Sequence, residues 1–113
     1  MHDYHKAKDM VEFAQAKAVE LGKNSVAKVL ITVGESSGYS ADTIVMYFKE
    51  LAEGTVCENA EIVVTNVKSM LECPSCGKIF PRKLMEYACP VCGVEGVPSK
   101  IGTEVFLEDV VFE

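Results

Sequence analysis

Tryptophan is absent from the 113 residues, and histidine occurs only twice, at His2 and His5. With both imidazoles inside the first five positions, no Ser-His-Asp set is spread through the chain. A phosphate-binding G-x-x-x-x-G-K-S/T loop and a dinucleotide G-x-G-x-x-G fingerprint are also missing. The chain therefore reads as a non-enzyme. Positive charge is scarce as well: 11 Lys and Arg face 17 Asp and Glu, a formal net charge of -6, with acids spread from Asp3 to Glu113. Such a balance opposes a phosphate backbone, so no nucleic-acid partner is expected. No apolar run approaches the ~18 residues of a membrane span. The start, Met1-His2-Asp3-Tyr4-His5-Lys6, lacks the apolar segment of a secretory signal. A cytoplasmic protein without membrane contact is the expectation.

What is present is an ordinary globular balance, 49% hydrophobic and 25% charged. Small and apolar residues recur as Ala7, Met10, Val11, Ala14, Ala18 and Leu21, which predicts a first helix ended by Gly22. Val26 to Val33 predicts a strand with Val29, Ile31 and Val33 on one face. The Gly34-Glu35-Ser36-Ser37-Gly38 stretch is a loop, and Ser40 an N-cap for a second helix carrying Ile44, Tyr47, Phe48, Leu51 and Ala52. A second strand is expected from Ile62 through Val67 and on toward Leu71, leading directly into Cys73. Val94 to Gly102 reads as loop and Val105 to Phe112 as a last strand with apolar residues on both faces.

This order predicts an α+β fold: a small mixed three-stranded sheet with two helices, plus an inserted four-cysteine zinc-ribbon module. The first two strands, joined through a helix, are expected to run parallel. The last two are expected to pair antiparallel, as legs of a long hairpin around the module. Residues 1–71 and 103–113 would form a discontinuous α/β domain, and residues 72–102 the zinc-binding domain.

Cys73-Pro74-Ser75-Cys76-Gly77 and Cys89-Pro90-Val91-Cys92-Gly93 are two copies of C-P-x-C-G, with twelve residues between Cys76 and Cys89. A two-residue gap turns both sulfurs of a knuckle toward one ion, and two knuckles complete the tetrahedron that structural zinc prefers. Four thiolates leave no open position, so the ion is expected to staple rather than catalyse. Phe80 and Tyr87 flank the knuckles and are expected to cover them. Iron in the same four-thiolate site is the rival ion, and would make the chain an electron carrier. A redox dithiol is disfavoured, because Pro and Gly repeat identically in both pairs. Cys57 stands alone and is read as a small buried hydrophobe.

Met1-His2-Asp3 offers a second metal site. A terminal amine, an imidazole and intervening amide nitrogens form fused chelate rings that suit Ni(II) or Cu(II). If residues 2–5 form a helical turn, His5 shares a face with His2 and could serve as a second imidazole donor, although read alone it is an exposed polar residue at a helix start. Together the Met1-His2-acid start, Gly34-Glu35-Ser36-Ser37-Gly38, the second helix, Ala60-Glu61-Ile62 and the paired C-x-x-C resemble the HypA family of nickel-delivery proteins in NiFe hydrogenase maturation. The resemblance covers essentially the whole chain. It implies that His2 is the essential nickel ligand, aided by the amino terminus and nearby main-chain nitrogens. It assigns nickel to Met1, His2 and Asp3, and structural zinc to Cys73, Cys76, Cys89 and Cys92. The family usually carries Glu at position three, and Asp3 is one methylene shorter. Read alone, Glu35 is a solvated charge in a turn; the resemblance implies a supporting or docking role for it, not a catalytic one.

By that resemblance the chain is a metallochaperone with Ni2+ as transient cargo and Zn2+ as structural cofactor. Its implied partners are a GTPase resembling HypB and the hydrogenase large-subunit precursor, and it is expected to be a monomer or weak homodimer. Urease maturation is a neighbouring role. The rival from another class is a zinc-ribbon module for protein interaction, or one associated with nucleic acid, without a nickel function.

Overall fold

A computed structural model describes residues 2–113 of the chain. Helix α1 spans His2–Leu21 and buries Ala7, Met10, Val11, Ala14 and Ala18, a stripe at helical spacing. It starts five residues before its apolar periodicity does. Its first turn is held by contacts that periodicity does not register: Tyr4 packs edge-on to Tyr47 at 5.4 Å between ring centroids, and Asp3 sits where the helix dipole favours an acid. Leu21, expected on the buried stripe, is exposed instead. The helix is already closing there, with Lys23 N donating to Ala18 O and Gly22 N to Val19 O in a Schellman turn.

Strand β1 covers Val26–Gly34, helix α2 Ala41–Ala52 and strand β2 Glu61–Val67. Ser40 caps α2, its hydroxyl accepting from Thr43 N at 3.3 Å. The helix buries Ile44, Phe48 and Ala52, with Tyr47 and Leu51 packed at the margin. Strands β1 and β2 pair in parallel, Val29 opposite Ile62 and Ile31 opposite Val64. Short strands β3, β4 and β5 follow at Met70–Glu72, Ile79–Pro81 and Val97–Pro98, and β6 occupies Val105–Phe112.

The order of the main sheet is β2-β1-β6. This corrects the expected hairpin: β6 pairs antiparallel with β1, and β2 has no ladder with it. The physical reason is burial. Strand β1 carries Val26, Val29, Ile31 and Val33, all at most 4% exposed, and a central position shields such a strand from both sides. Two irregularities in the β1–β6 register, at Val26/Lys28 and Leu30/Ile31, keep Val105, Leu107, Val110 and Phe112 against the core. Phe106 and Val111 emerge on the other face, as an apolar strand on both sides requires.

Strand β2 also ends earlier than expected. It stops at Val67, Lys68 and Ser69 interrupt it, and β3 opens a separate sheet of order β4-β3-β5. Leu71 there pairs with Phe80 on one side and Pro98 on the other. The stretch read as loop thus contributes β5. Gly96 permits it, because a Cβ at that position would lie 2.5 Å from Phe80 Cζ. This sheet has its own small core of Leu71, Cys73, Phe80 and Cys89. Two cores give an elongated molecule of 54 × 26 × 17 Å with a radius of gyration of 17.7 Å, against about 13 Å for a single compact domain of this length.

Candidate metal centres

The two C-P-x-C-G copies fold into nearly the same knuckle. In the first, Cys73 N donates to Lys78 O, Gly77 N to Cys73 O, and Cys76 N approaches Cys73 Sγ at 3.4 Å. In the second, Cys89 N donates to Val94 O, Gly93 N to Cys89 O, and Val91 N approaches Cys89 Sγ at 3.4 Å. Gly77 and Gly93 have φ of 79° and 76°, a left-handed conformation that a side chain would strain. Main-chain amides are thereby aimed at sulfur.

All four Sγ atoms lie within 4.8 Å of one another. Cys73 to Cys92 is 3.1 Å, Cys76 to Cys89 3.6 Å and Cys76 to Cys92 3.9 Å. A tetrahedron with Zn–S bonds of about 2.3 Å has sulfur–sulfur edges of roughly 3.8 Å, so the donor set fits such an ion with small adjustment. Cys73 and Cys89 are buried, while Cys76 and Cys92 reach the surface. Phe80 is buried beside the inner sulfurs. Tyr87, expected to share that cover, remains 38% exposed.

The electrostatics of the cluster divide it in two. The Cys76 amide, against some desolvation, and the neighbouring Cys92 thiol bring Cys73 down to about 6. The Cys92 amide likewise lowers Cys89. In Cys92 the Val94 amide favours the thiolate, but the charge on Cys73, desolvation and the other two sulfurs prevail and push it up to about 12. Cys76 is raised despite the Lys78 amide, again by Cys73, desolvation and Cys89. Cys73 and Cys89 are drawn toward the thiolate, and negative charge on them opposes ionisation of Cys76 and Cys92. A divalent cation at the centre removes that conflict, which is why the cluster suits a metal.

Cys57 takes no part. It lies in the turn after α2, 1% exposed, and burial pushes its thiol up against the opposing Thr55 hydrogen bond. It is the small hydrophobe the sequence suggested.

At the other end, Met1 lies outside the described residues, so its part in the amino-terminal site is not on view. His2 is exposed on the first turn of α1, where the leading N–H groups of a helix have no intrahelical acceptor. Its ring meets Tyr39 edge to face at 6.2 Å. Asp3 Oδ2 accepts from Ser40 N at 3.3 Å. The ring of His5 turns to Tyr4 at 5.6 Å. Among the described residues, the four cysteines are the one group of three or more side chains gathered to hold a metal, so His2, Asp3 and His5 form no side-chain cage. Glu35 is exposed, its amide donating to Val67 O. Sequence reasoning missed Tyr39 and Ser40 as neighbours of this terminus, because neither carries metal chemistry and both lie more than thirty positions away.

A family model described as hydrogenase/urease nickel incorporation, metallochaperone, HypA matches residues 1–112. The hydrogenase maturation factor HypA of Caldanaerobacter subterraneus subsp. tengcongensis is 33% identical over 114 residues and is covered in full, as is this chain. That of Aquifex aeolicus is 29% identical, with 100% of this chain and 98% of the relative covered. Two solution structures share the fold. One of a HypA protein has a TM-score of 0.77 at 22% identity, covering 100% of this chain and 97% of the other. The nickel metallochaperone HypA from Helicobacter pylori has a TM-score of 0.66 at 22% identity, covering 97% and 96%. The full-length family match, joined to the paired knuckles and the histidine at the head of α1, places this chain in the HypA family of nickel metallochaperones acting in hydrogenase maturation.

Proposed function

We propose that the chain is a non-enzymatic carrier that takes Ni(II) at its amino terminus and passes it to the large-subunit precursor of a NiFe hydrogenase. The observation that supports this most directly is the position of His2, exposed on the first turn of α1. The donors this stretch of sequence offers are the Met1 amine, the His2 imidazole and main-chain nitrogens of His2 and Asp3, a set that suits square-planar or tetragonal Ni(II). The Asp3 carboxylate is engaged by Ser40, so Asp3 contributes through its main chain. An exposed site at a helix start also suits a protein that must release its ion. A GTPase resembling HypB is the natural companion in delivery, in the cytoplasm, and the curated relatives are named for hydrogenase maturation.

The resident ion of Cys73, Cys76, Cys89 and Cys92 is zinc in this reading, closed to substrate and used to fold residues 72–102. Separate sheets and separate cores favour two units, but the join falls at the Lys68–Ser69 break rather than after residue 71, because Met70 and Leu71 lie in β3 and Leu71 belongs to the second core. Zinc supplies the energy that so small a core lacks.

Equilibrium titration of the untagged, zinc-loaded protein with Ni(II), beside His2→Ala, tests the site. Wild type is expected to bind one equivalent and His2→Ala to lose specific binding with unchanged far-UV circular dichroism. One equivalent bound by His2→Ala at wild-type affinity refutes the assignment.

A further inference from the structure

The first turn of α1 does not stand free of the rest of the molecule. The loop from Gly34 to Ser40, which joins β1 to α2, touches it in three ways. The Tyr39 ring meets the His2 imidazole edge to face, with centroids 6.2 Å apart and planes at 79°. Ser40 N donates to Asp3 Oδ2 at 3.3 Å. Lys6 Nζ lies 5.5 Å from the Tyr39 ring centroid.

The other end of the same loop is bolted to the neck between the two sheets. Ser36 donates to Gly102 O from both its amide, at 2.8 Å, and its hydroxyl, at 3.0 Å. Ser69 Oγ donates to Ser36 Oγ at 2.9 Å, and Glu35 N donates to Val67 O at 2.8 Å. Gly34 is packed so closely that a Cβ there would lie 2.2 Å from Gly102 O. Within the loop, Ser37 Oγ accepts from Tyr39 N at 3.1 Å. Tyr39 is thus carried on a segment pinned at both ends, and its ring has a defined place.

A chelate of amine, amide and imidazole nitrogens closes only when the imidazole adopts one rotamer. A histidine at a helix start otherwise samples about three χ1 wells and two ring orientations. We propose that Tyr39 is a positioning residue for the amino-terminal nickel site, its braced ring holding the His2 imidazole in the orientation that closes the chelate. Tyr39 gives the ion no donor atom. The proposal rests on the nickel reading above, and it concerns how that site is built.

The test is Ni(II) titration of untagged, zinc-loaded wild type, Tyr39→Ala, Tyr39→Leu, Tyr39→Phe and His2→Ala, with visible circular dichroism of the bound metal as second readout. Freeing the imidazole among its rotamers is expected to weaken Ni(II) binding about sixfold in Tyr39→Ala and to change the visible Ni(II) bands. Tyr39→Leu refills the volume without a ring and is expected to show the same loss, which covers the case of an Ala variant that folds poorly. Tyr39→Phe keeps the ring edge and is expected to restore affinity and spectrum. Wild-type affinity and bands in Tyr39→Leu overturn the proposal, as does Tyr39→Phe behaving like Tyr39→Ala. The His2→Ala arm separates the two failures: if it loses nickel while Tyr39→Leu does not, only the positioning role falls. If it binds nickel as wild type does, the site itself falls and the positioning role with it.

Discussion

Zinc binding to the four cysteines is expected to expel at least two protons at pH 7, and the structure says from where. In the metal-free protein Cys73 is brought down to about 6 and is a thiolate at that pH. Cys92, pushed up to about 12, and Cys76, also raised, remain thiols because a neighbouring thiolate opposes a second charge. Zinc takes all four as thiolates, so its arrival removes a proton from each of the two raised groups. The sign follows: protons compete with the metal, and affinity rises with pH. Two protons released correspond to about a hundredfold gain in affinity per pH unit near neutrality. Below about 6, Cys73 protonates too and the dependence steepens. Calorimetric titration of reduced, metal-free protein with zinc, in buffers of different ionisation heat, reads the proton count as a slope. A count below one, or an affinity flat from pH 6 to 8, would show that the divided electrostatics of the cluster are wrong.

Other outcomes follow from packing. Phe48 is fully buried between the helices and the sheet, and Phe48→Ala is expected to cost about 3–5 kcal/mol in urea unfolding; a loss under ~1 kcal/mol would mean that the core sits elsewhere. Gly34→Ala drives a methyl into the backbone carbonyl of Gly102, which cannot rotate away. It is expected to cost about 1–3 kcal/mol and to speed hydrogen exchange at Ser36 N and Thr103 N; unchanged exchange at both would contradict the clasp described at the neck.

The knuckles were legible in the chain because everything they need is local. Two sulfurs three positions apart, a proline between them and a glycine after the second suffice to aim both at one point, and the repeat supplies the other two. The buried stripe of α1, the Ser40 cap and the Val29, Ile31 and Val33 face of β1 were legible for the same reason, since helix and strand periodicity are properties of neighbours. Strand order was not. Nothing within Ile62–Val67 or Val105–Phe112 says which of them must flank β1; that choice depends on burying β1 between both, a matter of total area rather than of spacing. The hairpin reading failed on that point, and so did the continuous strand, which breaks where Ser69 turns to bond Ser36, thirty-three positions away. The start of α1 at His2 is tertiary in the same sense. Polar residues with no helical pattern become helical because Tyr47, Tyr39 and the amide of Ser40 are brought within reach of Tyr4, His2 and Asp3, contacts that exist only once β1 and α2 have folded back upon the chain's beginning.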